Sequence, residues 1–204
     1  MTQESGSTAA RPDGRGAPGE QGLPYLFCAL KAEDRGAFVP SRHVLFQVER
    51  VLIGRGTERS TQRTSADRTK TPRVPATLSL RFVDAWMSSS HASISQEGDR
   101  FVFRDQGSRN GSFVNGARVD EAVLQDGDVL ELGNTFFVFR AEVRGNPSDR
   151  ADADMASLSK ASRLPTLSPE LGRVFARVLA AAESELTICI GGETGTGKEG
   201  VARA

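Results

Sequence analysis

Cysteine is scarce in this chain, with 2 among 204 residues, and both Cys28 and Cys189 lie inside apolar runs, YLFCAL and LTICIG. That scarcity leaves little support for a disulfide framework or a metal centre, and we expect two buried free thiols. Aromatic residues other than Phe are nearly absent, with 1 Trp and 1 Tyr. Neither sign of charge is in excess: 26 basic residues face 26 acidic ones. There is therefore no overall pull toward nucleic acid or membrane, and any electrostatic function must come from local patches. No stretch approaches the ~18 consecutive apolar residues of a spanning helix. The N-terminus, MTQESGSTAARPDGRGAPGEQG, has no apolar h-region and is not a secretory signal. We therefore expect a cytoplasmic address and no membrane partner.

What is present is an ordinary globular composition, 38% hydrophobic and 25% charged. Residues 1–22 are rich in Gly, Ser, Ala, Pro and charge, which predicts a disordered tail. From Leu23 to about Arg140 the pattern changes to short strand-like runs: LPYLFCALK, HVLFQVERVLIG, TLSLRFV, HASISQ, RFVFRD, GSFVNG, DVLEL and NTFFVFR. Turn signals separate them at Glu97-Gly98-Asp99, Asn115-Gly116, Asp126-Gly127-Asp128 and Gly133-Asn134. Of the 11 Phe, all but Phe175 lie between Phe27 and Phe139, so the main core belongs here. Many short runs without helical periods argue for an antiparallel β-sandwich. Gly56 to Ala76 interrupts the pattern. It has no apolar period and carries Arg59, Arg63, Arg68, Lys70 and Arg73 against Glu58 and Asp67. It reads as a solvated basic loop; a sharper reading has it add cationic contacts to an acidic peptide. Residues 141–163 form a polar linker. Ser168-Pro169-Glu170 then marks a helix start, followed at helical spacing by Leu171, Val174, Phe175, Val178, Leu179 and Ala182. Leu186 to Ile190 reads as a compact apolar strand.

Three short motifs fall in strand-ending loops: Gly54-Arg55, Ser88-Ser89-Ser90-His91 and Ser108-Arg109-Asn110-Gly111. Singly each is weak. In this order, and followed by Ser112-Phe113-Val114-Asn115-Gly116 and Leu124-Gln125-Asp126-Gly127-Asp128, they resemble the forkhead-associated (FHA) family over residues 23–140. The resemblance implies a sandwich of about eleven strands whose loops bind a threonine-phosphorylated protein or peptide without a cofactor or metal. It assigns Arg55 and Ser88 to the phosphate, with Ser89 and Arg109 contacting phosphate or peptide backbone. Asn110 would hold the peptide's main chain, while Gly54, His91 and Gly111 support the loops. The chemistry suits these residues. A phosphothreonine carries close to two negative charges and three acceptor oxygens, which a guanidinium fork and neutral donors on a rigid frame can satisfy.

A last motif, Gly192-Glu193-Thr194-Gly195-Thr196-Gly197-Lys198, has the G-x4-GK spacing of a phosphate-binding loop, with Glu199 where Ser or Thr would hold magnesium. GETGTGKE resembles the loop of sigma-54-dependent transcription activators, whose AAA+ domains would begin at about residue 164. That resemblance implies ATP and magnesium as cofactors, and sigma-54 RNA polymerase as partner, only in a complete AAA+ domain. Residues 164–204 hold no acidic magnesium strand, arginine finger or DNA-binding helix pair. We therefore expect binding rather than catalysis, with no catalytic residue and no direct DNA contact.

Overall fold

The computed structural model describes residues 21–32, 38–67, 69–70, 74–147, 149, 151–184 and 187–204. Residues 1–20 of the expected tail lie outside the described residues, as do Arg68, Arg73 and Leu186. Gln21 and Gly22, assigned to that tail, open the first strand instead.

Alternating burial drives the chain into strands. In β1 (Gln21–Lys31) Leu26 and Cys28 point inward, and in β5 (Thr77–Phe82) Leu78, Leu80 and Phe82 do so at period two. The order continues through β2 (Ser41–Val44), β3 (Arg50–Arg55), β4 (Ser60–Thr64), β6 (Ala92–Glu97) and β7 (Arg100–Asp105). Next come β8 (Ser112–Val114), β9 (Ala117–Val119), β10 (Glu121–Val123), β11 (Val129–Leu132), β12 (Thr135–Gly145) and β13 (Asp152–Asp154). They form a 7-stranded sheet, β13-β2-β1-β12-β11-β8-β9, against a 6-stranded sheet, β10-β7-β6-β3-β5-β4. Between the sheets, Leu26, Leu45, Ile53, Leu80, Phe103, Leu130, Phe137 and Phe139 are buried. At about 25 cal/mol per Å² of apolar surface removed from water, this layer dominates the stability. Asn115 and Gly116, at φ 51 and 79, make the expected tight turn between β8 and β9.

The sandwich departs from expectation in three places. The strands exceed eleven and are not all antiparallel, because β3 and β5 pair in parallel, Arg50 with Thr77 through Arg55 with Phe82. The cause lies in the segment read as a solvated loop. Part of it is β4, which pairs with β5 at the sheet edge from Ser60–Arg81 to Thr64–Thr77, so the chain returns between β3 and β4. Two of its arginines, Arg59 and Arg63, are engaged by the fold. Arg59 stacks over Phe38 and Phe82 and donates to the Val39 carbonyl and to Ser41 Oγ. Arg63 clasps both oxygens of Asp152, at 2.6 and 2.9 Å, and the Val44 carbonyl. Those two cations do not serve an acidic peptide.

The linker is likewise structured. β12 runs on to Gly145 opposite Gln21, and β13 extends the sheet by pairing with β2. Asp154 then caps α1 (Met155–Ala161) through the Ser157 amide. The helix α2 (Pro169–Ala182) starts where expected, with Ser168 accepting from the Leu171 amide. The run to Ile190 forms no strand among its described residues, 187–190. A strand needs a hydrogen-bonding neighbour, and no described segment lies beside this one. Cys189 is exposed there, contrary to expectation, whereas Cys28 is fully buried. Burial pushes the Cys28 thiol up to about 12. No described helix is long and apolar enough to cross a membrane.

Candidate functional site

The ends of β3 and the loops after β5 and β7 meet at one edge of the sandwich. There Arg55, Trp86, Ser88, Ser89, Arg109 and Asn110 line a cavity of about 120 Å³. All five residues expected to read the phosphopeptide are brought together, and no acidic residue lines the cavity. Arg55 is exposed at the last position of β3, and its amide donates to the Ser88 carbonyl at 2.8 Å. Neither the Arg55 nor the Arg109 guanidinium has a hydrogen-bonding or carboxylate partner among the described residues. Two unneutralised cations at one small concavity have the chemistry to receive an anion.

The neutral groups are held by the frame. Ser88 Oγ accepts from the Arg109 amide at 3.0 Å, which ties two loops together and leaves the hydroxyl proton free to donate outward. Asn110 Nδ2 donates to the Trp86 carbonyl at 2.7 Å, so its Oδ1 remains an acceptor for a peptide N–H. His91 is fully buried beneath. Its Nδ1 accepts from the Ser88 amide at 2.9 Å, and its Nε2 lies 3.2 Å from the Gly111 carbonyl. Accepting at Nδ1 requires the neutral ring with the proton on Nε2, which then donates to Gly111. Burial lowers the His91 pKa and favours that form. His91 thus links the two loops through these bonds.

Gly54 and Gly111 have steric reasons to be glycine. A Cβ at Gly54 would collide with the Ser89 carbonyl and lie 2.7 Å from Arg81 Nη1. Gly111 has φ +80, and a Cβ there would meet Arg118 Nε at 2.7 Å.

Three contributors escaped sequence reasoning. Asp84, 1% exposed, accepts from the Trp86 amide at 2.9 Å, the Asn134 amide at 2.8 Å and Thr135 Oγ1 at 2.8 Å, and so anchors the Ser88 loop to the β11–β12 turn. Asp105 accepts from the Ser108 amide at 2.7 Å and Ser112 Oγ at 2.6 Å. Burial pushes its carboxyl up, but the bonds from Ser108 and Ser112 outweigh this and hold it below its ordinary value. Arg81, on β5, passes over Gly54 and donates to the Ser89 carbonyl. No motif marks any of the three.

The phosphate-binding loop near the C-terminus has a different character. Residues Gly192 to Gly197 are exposed, with Gly195 and Gly197 at φ 85 and 80. Lys198 opens α3 (Lys198–Arg203) and donates to the loop's own Gly192 carbonyl at 2.9 Å and to the Glu193 carbonyl. Thr196 Oγ1 donates to the same Glu193 carbonyl at 2.8 Å, while Thr194 is exposed at the loop's turn and Glu199 pairs, among the described residues, with Arg203. This group does not meet the cavity around Arg55.

Comparison with known proteins bears on the first site. Residues 51–133 match the family model of the FHA domain. The chain contains an FHA domain. Over 52 residues it is 50% identical to the ABC transporter ATP-binding/permease protein Rv1747 of Mycobacterium tuberculosis, which covers 26% of this chain and 6% of that protein. Over 56 residues it is 43% identical to the glycogen accumulation regulator GarA of Mycolicibacterium smegmatis, covering 28% of this chain and 35% of the relative. The chain thus spans a minor part of both. Among solved structures, the FhaA FHA domain complexed with the intracellular domain of Rv3910 is 26% identical, with a TM-score of 0.38 over 57% of this chain and 99% of that one. The matched FHA segment includes Arg55, Ser88, Ser89, Arg109 and Asn110, and stops short of residues 164–204.

Proposed function

We propose that the FHA domain reads phosphothreonine in a partner protein, with Arg55 and Ser88 on the phosphate, Arg109 and Ser89 at its rim, and Asn110 on the peptide backbone. The observation that carries this is the pairing of two unneutralised guanidiniums with a braced serine hydroxyl in one cavity that no acid lines. A charge-assisted hydrogen bond contributes ~1.5–3 kcal/mol, so two or three such bonds account for much of a micromolar affinity. No cofactor or metal is required. Similarity to a glycogen accumulation regulator supports a regulatory, non-enzymatic module rather than a catalytic one.

The wider setting we infer is the sensory region of a sigma-54-dependent transcription activator, on the strength of GETGTGKE after an FHA domain. In that setting ATP and magnesium matter only within a complete AAA+ domain, and the exposed 187–204 segment neither holds nucleotide nor touches DNA by itself. Isothermal titration with ATP checks this: heat of binding with a Kd below about 1 mM would overturn it.

The phosphate-reading claim is tested by titrating one threonine-peptide library, phosphorylated and unphosphorylated, against wild type and Arg55→Ala. Binding should be confined to the phosphorylated set and fall about a hundredfold in the variant. Equal binding by the variant, or binding that survives phosphatase, would make the sandwich a phosphate-independent scaffold instead.

A further inference from the structure

The outward face of the 7-stranded sheet is apolar where water would favour polar side chains. In β11 and β12, Leu130, Leu132, Phe137 and Phe139 fill the core, so Val129, Glu131, Phe136 and Val138 point outward at period two. Register places Phe27 of β1 beside Val138 and Val138 beside Val129, with Leu30 beside Phe136 in the next row. Phe113 of β8 stands opposite Glu131. Leu30 and Val129 are 45% and 39% exposed, and Phe27, Phe113, Phe136 and Val138 are half-buried. A solvated sheet face ordinarily carries polar residues, so this cluster around a single glutamate has the composition of a covered surface.

The chain carries a complement to that face. Leu171 and Val174 of α2 are exposed, and Val178 continues their stripe. The helix does not lay this stripe on its own sheet, because its first turn is tied at the margin, where Pro169 is buried and Glu170 Oε1 accepts from the Arg144 amide at 3.2 Å. Pro169 and Glu170 line a groove of about 430 Å³ with Phe27 and Val138, so the base of the helix adjoins the face it leaves uncovered. Sizes agree: Leu171 to Val178 spans ~10 Å at 1.5 Å per residue, and three strands ~4.8 Å apart, from Phe27 to Val129, span about the same. Charges agree as well. Glu131 lies within the face, Arg177 flanks the stripe three residues after Val174, and neither has an ion pair among the described residues.

We propose that a second copy of this chain covers the face: α2 of each copy lies over β1, β12 and β11 of the other, with Arg177 against Glu131 of the partner subunit. Because the helix starts at the margin of the face, two such contacts close a two-fold dimer rather than an open chain. The surface shares no residue with the cavity around Arg55, so the proposal stands or falls independently of phosphothreonine reading.

Sedimentation equilibrium of the full chain at low salt, between about 10 and 200 μM, reads the dimer. Leu30→Lys with Val129→Lys charges the face at two exposed positions, so the sandwich should keep its unfolding midpoint while dimerisation weakens about tenfold or more. Arg177→Glu and Glu131→Arg should each weaken it about threefold or more, since a two-fold dimer counts the pair twice. The two together should return the dimer to within about twofold of wild type. A face variant that dimerises like wild type overturns the proposal and leaves pairing of helix on helix, or an edge contact, as the cause. A wild type that stays monomeric throughout the range overturns it outright, as does a charge-swap pair that shows no recovery. If Leu30→Lys with Val129→Lys shifts the unfolding midpoint, the charge-swap series alone decides.

Discussion

Asp84 is an acid that a reader of VDAWMSSSH would leave in solvent, yet it is 1% exposed and meets three donors. Its role depends on Asn134 and Thr135, which reach it only when the β11–β12 turn packs against the Ser88 loop some fifty residues earlier. Local sequence could not carry that information. Removing the carboxylate strands buried donors, each of which costs ~1–3 kcal/mol without its acceptor. Asp84→Ala should therefore lower the unfolding free energy by about 3 kcal/mol in urea titration at pH 7, and should weaken phosphopeptide binding by releasing the loop. Asp84→Asn, which keeps one acceptor oxygen, should lose roughly half as much. A midpoint unchanged in the alanine variant would mean that the loop is held by its backbone bonds alone. By contrast Arg55, Ser88, His91, Arg109 and Asn110 were legible from sequence, because each belongs to a short motif whose order along the chain is itself distinctive.

At the scale of elements, the strands with clean apolar alternation were readable, and those that escaped are short, polar or at edges. β4 is STQRT, β13 is DAD, and neither offers an apolar face. What makes them strands is long-range pairing plus a side-chain clasp. Asp152 of β13 receives His43 Nδ1 at 2.7 Å from β2 and the Arg63 fork from β4, so three strands meet at one carboxylate. Burial pushes the Asp152 carboxyl up, but the hydrogen bonds and charges of Arg63 and His43 outweigh it and hold it at about 2, against 3.8 normally. The sign follows from that depression. The clasp contributes its full stability above the unfolded value and loses it as pH falls from about 4 toward 2, an increment of roughly 2 kcal/mol at 1.36 kcal/mol per unit. Asp152→Asn should remove that increment at pH 7 and flatten the pH dependence between 4 and 2. The same variant should speed amide hydrogen exchange in β13 and α1 without touching β6 and β7. An unaltered pH profile in Asp152→Asn would assign the acid sensitivity elsewhere, Asp105 being another depressed carboxylate, held down against its burial by its bonds from Ser108 and Ser112.

For the whole molecule, the contrast lies between a sandwich that buries its apolar residues and a helix that does not. α2 docks through polar contacts at its start: Glu170 Oε1 accepts from the Arg144 amide at 3.2 Å, and Arg42 Nη1 donates to the Leu167 carbonyl at 2.9 Å. Its only buried residue is Pro169. Leu171 and Val174 stay 42% and 50% exposed, and Ile188 beyond the helix is 37% exposed. An amphipathic helix anchored by its first turn and apolar outward is a surface that water disfavours, and at high concentration another apolar surface can cover it. The chain should therefore self-associate reversibly, with sedimentation coefficients that rise between about 10 and 200 μM as apolar patches of this kind pair weakly. Leu171→Asn with Val174→Asn should abolish the rise. Because neither residue touches the sandwich core, the double variant should keep its phosphopeptide affinity and change the main unfolding transition by no more than about 0.5 kcal/mol, as exposed sites usually do. Association that persists in the double variant would point instead to the sandwich edges, where β4 and β10 present unpaired backbone. Loss of phosphopeptide binding in the same variant would mean that α2 and the FHA domain are energetically coupled despite the distance between α2 and Arg55 along the fold.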